Sequence, residues 1–133
     1  MRKIETANKW LDVLARGATD EWDQCVSDNI RMEVPFMPGD LALPVEGIEP
    51  NRQRVSTFWQ AWKWFEFYDI KLHTVADDSD LMFVQADSKA ETHWGASYRN
   101  TYILRLRFRD GLIVEHVEFL NPLAVMTAFE GHL

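Results

Sequence analysis

The stretch YRNTYILRLRFRDGLIVEHVEFLNPLAV, residues 98–125, decides the fold class of this 133-residue chain. Its first part alternates apolar side chains with mainly basic ones, which is the pattern of a strand with one buried face. Asp110 and Gly111 then mark a tight hairpin, and Pro122 suits the first turn of a helix. The stretch therefore predicts two antiparallel strands and a short terminal helix, at 98–109, 112–121 and 122–129.

The rest of the chain supplies helices first and further strands afterwards. Apolar residues repeat at helical spacing in the N-terminal segments, and turn residues separate the alternating segments that follow. The loop 37–51, rich in proline and glycine, could cover a pocket mouth or be a plain connection. The predicted helices are 3–16, 19–26 and 51–65, and the predicted strands are 30–36, 67–76 and 81–94. This order, ααβα followed by four strands and a terminal helix, predicts one α+β domain over 1–133 with a mostly antiparallel sheet.

Charge and hydropathy narrow the classes of partner. The net charge is −7 and the isoelectric point is about 5.0, whereas nucleic acids and anionic membranes are bound by basic surfaces. No stretch approaches the ~20 apolar residues of a membrane span, and the N-terminus lacks the apolar segment of a signal peptide. We therefore expect a cytoplasmic protein without a nucleic-acid or membrane partner.

Aromatic residues are frequent, with six Trp, eight Phe and three Tyr. They could form a core built from rings, or they could line a deep apolar pocket for a flat or cyclic ligand. Composition alone leaves both interpretations open.

Glu118 and His116 are the candidate catalytic residues. They share one face of the predicted last strand because strand side chains alternate with a period of two. Burial favours the neutral form of a carboxyl group, and a carboxyl group poised near neutrality suits general acid/base catalysis. The alternative for Glu118 is a structural ion pair with Arg54. His116 could relay or orient a proton, or it could be an ordinary surface or core histidine.

Other polar residues are candidates for substrate binding. Asn100 interrupts an apolar strand face, so its amide either holds Glu118 in place or binds a substrate oxygen. Arg54 could bind a substrate carboxylate or lie on a solvated helix margin. His73 and His93 are expected to be exposed, and no spacing of metal ligands is recognisable. The aromatic residues that could line the pocket, or be ordinary core, are Phe36, Phe58, Trp59, Trp62, Trp94 and Tyr102.

Three short patterns resemble SnoaL-like proteins of the nuclear-transport-factor-two-like superfamily, also known for its ketosteroid-isomerase-like fold. Members often show a Y-x-N-x-Y strand, an F-x-D-G-x-I hairpin and an E-[FY]-x-[ND]-P ending. The resemblance implies a cone-shaped domain in which a curved, mostly antiparallel sheet packs against N-terminal helices and encloses an apolar pocket. It also implies a homodimer through the sheet face, which the apolar Val117 and Phe119 permit. The matching residues are Tyr98, Asn100 and Tyr102; Phe108, Asp110, Gly111 and Ile113; and Glu118, Phe119, Asn121 and Pro122.

Two subfamilies give different expectations for the site. Ketosteroid isomerases carry a tyrosine and an aspartate base at the positions of Trp10 and Val34, and neither residue here can do that chemistry. The phenazine-biosynthesis A/B proteins resemble the chain more closely, because their catalytic glutamate falls on Glu118. Their helical histidine and serine fall on Arg54 and Phe58. The resemblance therefore implies related acid/base chemistry on another substrate.

We expect a cofactor-independent enzyme, without a metal, that acts on a small cyclic or polyketide-like metabolite. Glu118 would move a proton to give isomerisation, dehydration or cyclisation. The alternative is a binding or accessory protein with the same pocket and no turnover. A third possibility, a structural dimer module, predicts a pocket that is too small or is blocked by tryptophan side chains.

Overall fold

The computed structural model describes residues 2–133 and contains three α-helices and six strands within that range. Two short 3-10 helices, Thr19–Gln24 and Gly39–Ala42, lie in the connections. The helices are α1 (Arg2–Arg16), α2 (Ile48–Trp59) and α3 (Pro122–Ala128). The strands are β1 (Val26–Glu33), β2 (Val45–Glu46), β3 (Trp62–Val75), β4 (Asp78–Thr92), β5 (Ser97–Arg109) and β6 (Leu112–Phe119).

The strands form one curved sheet in the order β2-β1-β6-β5-β4-β3. The four C-terminal strands are a meander of antiparallel neighbours, while β1 pairs with β6 in parallel. Helices cover one face of this sheet, so the predicted α+β class and cone-like architecture are confirmed. The parallel pairing joins the two ends of the chain, because β1 lies near the N-terminus and β6 near the C-terminus.

The main core lies between α1 and the inner face of the sheet. Positions with even numbers on β5 are buried, while their odd neighbours are partly or fully exposed, as expected for a sheet with one covered face. The buried side of α1 places Trp10 and Leu14 against this face. A second cluster packs around Phe129, which directly follows α3.

The predicted helix 51–65 is wrong at both ends. Helix α2 begins at Ile48, directly after Gly47 with its positive φ of 96°, and Pro50 is accommodated in its first turn. It ends at Trp59, and Trp62 already belongs to β3, where it pairs with Thr92. The helical spacing of aromatic residues across 59–65 was therefore accidental, and pairing with β4 decides the conformation of this segment.

Three other boundaries also differ from the sequence prediction. Strand β1 is Val26–Glu33 rather than 30–36, because its start pairs with Ile113 of β6. The predicted helix 19–26 is a single 3-10 segment. The loop 37–51 contains β2, whose Glu46 lies opposite Arg31 of β1.

Of the two apolar residues expected on the outer face of the sheet, Val117 and Phe119, only Phe119 is accessible there. Val117 is already buried within residues 2–133 and offers little area to a partner, whereas Phe119 is half-buried and packs edge-on against Phe36. The basic residues of β5 are partly paired, with Arg105 lying 3.4 Å from Glu115. Over residues 2–133, no helix is long and apolar enough to cross a membrane.

Candidate functional site

A cavity of about 140 Å³ lies between α1, α2, α3 and the strands β1, β3 and β6. Its walls are mainly apolar, and a cavity is therefore present where a structural module would have a filled core. Five of the predicted site residues line it: Arg54, Phe58, Trp59, His116 and Glu118. Other apolar parts of the wall come from Met32, Val34, Met37, Leu41, Leu120 and Val125.

The Glu118 carboxyl group is the centre of the polar contacts in this cavity. The His116 atom Nε2 lies 3.1 Å from Glu118 Oε1, so the two residues predicted to share a face are in hydrogen-bond contact. Their positions follow from regular pairing, since His116 lies opposite Leu106 and Glu118 opposite Leu104 of β5. The carboxyl group keeps access to the cavity, with 24% of the side chain exposed.

Trp10 extends this contact into the core. Its indole Nε1–H donates to His116 Nδ1 at 3.0 Å, and both residues are fully buried. The Trp10 ring also packs edge-on against Trp22, with ring centroids 4.9 Å apart. Helix α1 thus carries an indole donor to the strand that bears the candidate acid/base group. The sequence prediction gave Trp10 no role, although a buried histidine on an apolar face requires hydrogen-bond partners.

Arg54 contacts the loop rather than Glu118. Its guanidinium donates to the carbonyl oxygens of Leu41 at 2.8 Å and Leu43 at 3.4 Å. Within residues 2–133 no ion pair joins Arg54 to Glu118, so the predicted structural pair is not formed. The side chain therefore holds the loop against the cavity, and Met37 and Leu41 from that loop form part of the wall.

Asn100 lies outside the residues that line the cavity and fastens β5 to the start of α3. Its Nδ2 donates to the Tyr98 hydroxyl at 2.7 Å and to the Asn121 carbonyl at 3.0 Å. Its Oδ1 accepts from the backbone N–H of Asn121 and of Thr101, both at 2.9 Å. The amide thus has the hydrogen-bond partners that a buried polar group needs. These partners are Tyr98, Thr101 and Asn121, whereas the sequence predicted Glu118 or a substrate oxygen.

Tyr102 also lies behind the cavity wall. Its hydroxyl is 2.9 Å from the Tyr98 hydroxyl and 2.8 Å from Ser88 Oγ. Burial raises the pKa of Tyr98 to about 12, and it also raises the pKa of Tyr102 well above its ordinary value. Both phenols are therefore neutral hydrogen-bonding groups at physiological pH.

Three predicted aromatic lining residues lie elsewhere, and one of them, Trp62, belongs to β3 rather than to a helix. Trp62 packs against Tyr98 and Phe129 in the second core cluster. Trp94 stacks on His132, with centroids 3.8 Å apart and an interplanar angle of 7°. Phe36 is 59% exposed and packs against Phe119.

The sequence prediction also missed Asn51, a buried polar residue of the cavity wall. Its Nδ2 lies 2.8 Å from the Gly47 carbonyl, 2.9 Å from that of Val45 and 3.3 Å from that of Ile30. The amide therefore joins β1, β2 and the start of α2. One signal in the sequence could have identified Asn51. It lies where a glycine- and proline-rich loop meets an apolar helical pattern, and an asparagine at such a place often makes hydrogen bonds to the backbone at the start of the helix.

The remaining histidines and the acidic residues form no further centre. His73 and His93 are exposed, as predicted, and His73 Nε2 lies 2.7 Å from Gln85 Oε1. Across the part of the chain that the structure describes, no three metal-binding side chains come together. The polar groups that line the cavity are the Glu118 carboxyl group with its histidine neighbour, the Arg54 guanidinium group, the Asn51 amide and a second carboxyl group, Glu33. Glu33 pairs with Arg31 at 2.8 Å. The rest of the wall is apolar.

Known proteins are similar to this chain in sequence or in structure. The uncharacterised protein YesE of Bacillus subtilis (strain 168) is 26% identical over 140 residues, which covers 98% of this chain and 88% of YesE. A Bacillus subtilis crystal structure described provisionally as an isomerase superposes with a TM-score of 0.89 at 22% identity, covering 99% of this chain and 95% of its own. The phenazine biosynthesis-related protein PhzB2 of Pseudomonas aeruginosa superposes with a TM-score of 0.74 at 19% identity, covering 96% and 80%. The model of the SnoaL-like domain matches residues 7–116, and the chain therefore belongs to the SnoaL-like family.

Proposed function

We propose that the protein is a cofactor-independent enzyme in which Glu118 moves a proton of a small cyclic substrate. The observation that carries this proposal is the Glu118 carboxyl group, half-buried in a mainly apolar cavity and in contact with His116. A carboxyl group in such surroundings can take a proton from a carbon or oxygen atom and return it. Isomerisation, dehydration and cyclisation all use this step.

The size of the cavity supports a substrate with a single ring. Its volume of about 140 Å³ is close to the ~150 Å³ of an engineered apolar cavity that holds benzene. A fused polyketide of several rings would need the loop that carries Leu41 to move. We therefore propose a six-membered carbocycle or a molecule of similar size.

Arg54 supports a polar substituent on that ring. A guanidinium group has more N–H donors than the two loop carbonyls of Leu41 and Leu43 occupy. A carbonyl or carboxylate oxygen of the substrate could accept one of the remaining donors. Charge that develops on this oxygen when Glu118 removes a neighbouring proton would then be stabilised.

A binding or accessory protein is the second candidate. The observation that favours it is the replacement of the helical histidine and serine of phenazine-biosynthesis proteins by Arg54 and Phe58, which both line the cavity. These residues can hold a ligand but supply no second proton-transfer group. The cavity and the loop would serve in the same way in both cases.

Hydrogen–deuterium exchange on simple ketones separates the two candidates and does not require the natural substrate. Cyclohexanone and cyclohexenone are incubated with the protein in deuterated water, and NMR follows deuterium incorporation beside the carbonyl group. Binding is measured in parallel through tryptophan fluorescence, since Trp59 lines the cavity. Removal of the general base in Glu118→Gln should lower the exchange rate by about 100- to 10,000-fold and leave binding within a few-fold.

Glu115→Gln is the matched control, because Glu115 lies on the same strand but pairs with Arg105 on the outer face. It should exchange at the wild-type rate. Equal exchange by Glu118→Gln and the wild type would refute the acid/base assignment. Binding of both ketones without any exchange above the buffer rate would favour the accessory protein.

We also propose a homodimer through the outer face of the sheet. Ile103 is 42% exposed there and Phe36 is 59% exposed, and both lie next to Phe119. Opposite charges such as Arg105 and Glu115 occupy the same face, so two copies can meet without a large like-charge repulsion. Ile103→Glu should convert the dimer to a monomer in sedimentation velocity, and an unchanged sedimentation coefficient would contradict this arrangement.

A further inference from the structure

The contact between Trp10 and His116 determines which ring nitrogen of His116 can carry a proton. The Trp10 indole is a hydrogen-bond donor only, and its Nε1–H points at His116 Nδ1 at 3.0 Å. The Nδ1 atom must therefore be the unprotonated, accepting nitrogen. In a neutral imidazole the proton is then on Nε2.

The other side of the ring contacts the candidate acid/base group. With its proton on Nε2, His116 donates to Glu118 Oε1 across 3.1 Å. Glu118 Oε2 makes no hydrogen bond with residues 2–133 of the chain. One carboxyl oxygen is thus held by a donor, and the other is available for proton transfer.

We infer that Trp10 is a positioning residue that holds His116 in the Nε2–H tautomer. His116 then orients Glu118 and does not relay its proton, because adding a proton to Nδ1 would set two N–H groups against each other. The consequence for catalysis rests on the function proposed above. The tautomer itself is a property of the folded chain, whether or not it turns over a substrate.

This arrangement also limits how the proposed reaction can proceed. The substrate C–H bond breaks, its proton bonds to Glu118 Oε2, and its electron pair delocalises onto the neighbouring carbonyl group. Because His116 cannot accept the proton, Oε2 returns it to a carbon of the same delocalised system, after exchange with solvent through the exposed part of the carboxyl group where water reaches it. Proton removal and return therefore occur on the same face of the ring.

The tautomer can be read directly by long-range ¹H–¹⁵N NMR of the histidine rings, in which protonated and unprotonated nitrogens have well-separated shifts. At pH 7.5 the wild type should show His116 with a proton on Nε2 alone. Glu118→Gln should show the same state, since a glutamine amide can either donate or accept and only Trp10 then selects the tautomer. In the double variant Trp10→Phe/Glu118→Gln, the ratio of the two tautomers should shift toward Nδ1–H by about threefold to tenfold.

Trp22→Phe in the Glu118→Gln background is the matched control. Trp22 is a fully buried neighbour of Trp10, and its indole N–H has no hydrogen-bond partner among the described residues. This variant loses a comparable amount of core packing and should keep the Nε2–H tautomer. An equal shift in both tryptophan variants would mean that packing, and not the hydrogen bond, sets the tautomer.

The inference is overturned if wild-type His116 carries a proton on Nδ1, alone or together with Nε2. It is also overturned if Glu118→Gln already shows a mixture. These two spectra need no tryptophan substitution, so they decide the question even if Trp10→Phe does not fold. If His116 lacks the Nε2–H tautomer but the deuterium-exchange rate still falls in Glu118→Gln, this inference alone is refuted. If His116 keeps the Nε2–H tautomer but Glu118→Gln leaves the exchange rate unchanged, the proposed function alone is refuted.

Discussion

Asn100 offers the sharpest test of the structure, because four hydrogen bonds depend on one buried side chain. The amide joins β5 to the residue that begins α3, through the backbone N–H and carbonyl of Asn121. It also supports the Tyr98 hydroxyl and the Thr101 N–H. The substitution Asn100→Ala removes all four contacts at once.

The expected loss of stability follows from which groups can find water afterwards. Asn121 and Thr101 are exposed residues whose backbone groups can be solvated, so each contributes toward the lower end of the usual ~0.5–1.5 kcal/mol. The buried Tyr98 hydroxyl keeps only its contact with Tyr102, and a small cavity remains. We expect a decrease of about 2–4 kcal/mol in the free energy of unfolding.

Urea denaturation measured by tryptophan fluorescence and by circular dichroism gives this quantity. With a slope of about 2 kcal/mol per molar urea, the midpoint should fall by about 1–2 M. Asn29→Ala is the control, because Asn29 is exposed on β1 and its loss should stay within about 0.5 kcal/mol. Equal midpoints for the two variants would contradict the four hydrogen bonds assigned to Asn100.

Three further predictions concern other parts of the chain. Gly17→Ala should lower the free energy of unfolding by about 2–4 kcal/mol in urea titrations, because φ is +65° and the new methyl group would collide with the Trp59 indole. Hydrogen bonding by Arg16 lowers the pKa of Glu21 to about 2, from an ordinary 4.5. As the pH falls, the unfolded chain therefore binds this proton before the folded chain does, and stability is lost between about pH 4.5 and about pH 2. Glu21→Gln should make the melting temperature depend less on pH in this range. The same pH dependence in the variant and the wild type would contradict the pairing. Burial raises the pKa of the Cys25 thiol to about 11, from 9.0. Because the thiolate is the reactive form, iodoacetamide at pH 8 should alkylate the folded protein at least about 100-fold more slowly than the urea-unfolded protein. Similar rates would show that the thiol is accessible.

The strands of the meander could be predicted because local signals agree with the pairing. In 98–109 the alternation matches the buried and exposed faces of β5, and Asp110 and Gly111 form the turn, both with positive φ. The aromatic segment 59–65 carries no such agreement. Its spacing fits a helix, but Trp62 and Phe65 lie in β3 because β4 provides partners for them.

Half of the candidate site could be predicted for a similar reason. Glu118 and His116 depend only on the period of one strand, and the structure brings them into contact. Trp10 and Asn51 depend on which elements pack together, and a local pattern does not contain that information. Asn100 was correctly singled out as a buried amide in need of partners, but its partners belong to the turn before α3 and not to the cavity.

The parallel pairing of β1 with β6 affects when the site can form during folding. The Trp10–His116 hydrogen bond joins residues that are 106 positions apart, whereas the antiparallel meander pairs near neighbours in sequence. Contacts between distant residues form late, because a long loop must close before they contribute. We therefore expect a newly made chain to build the meander first and to acquire its site only when the two ends come together.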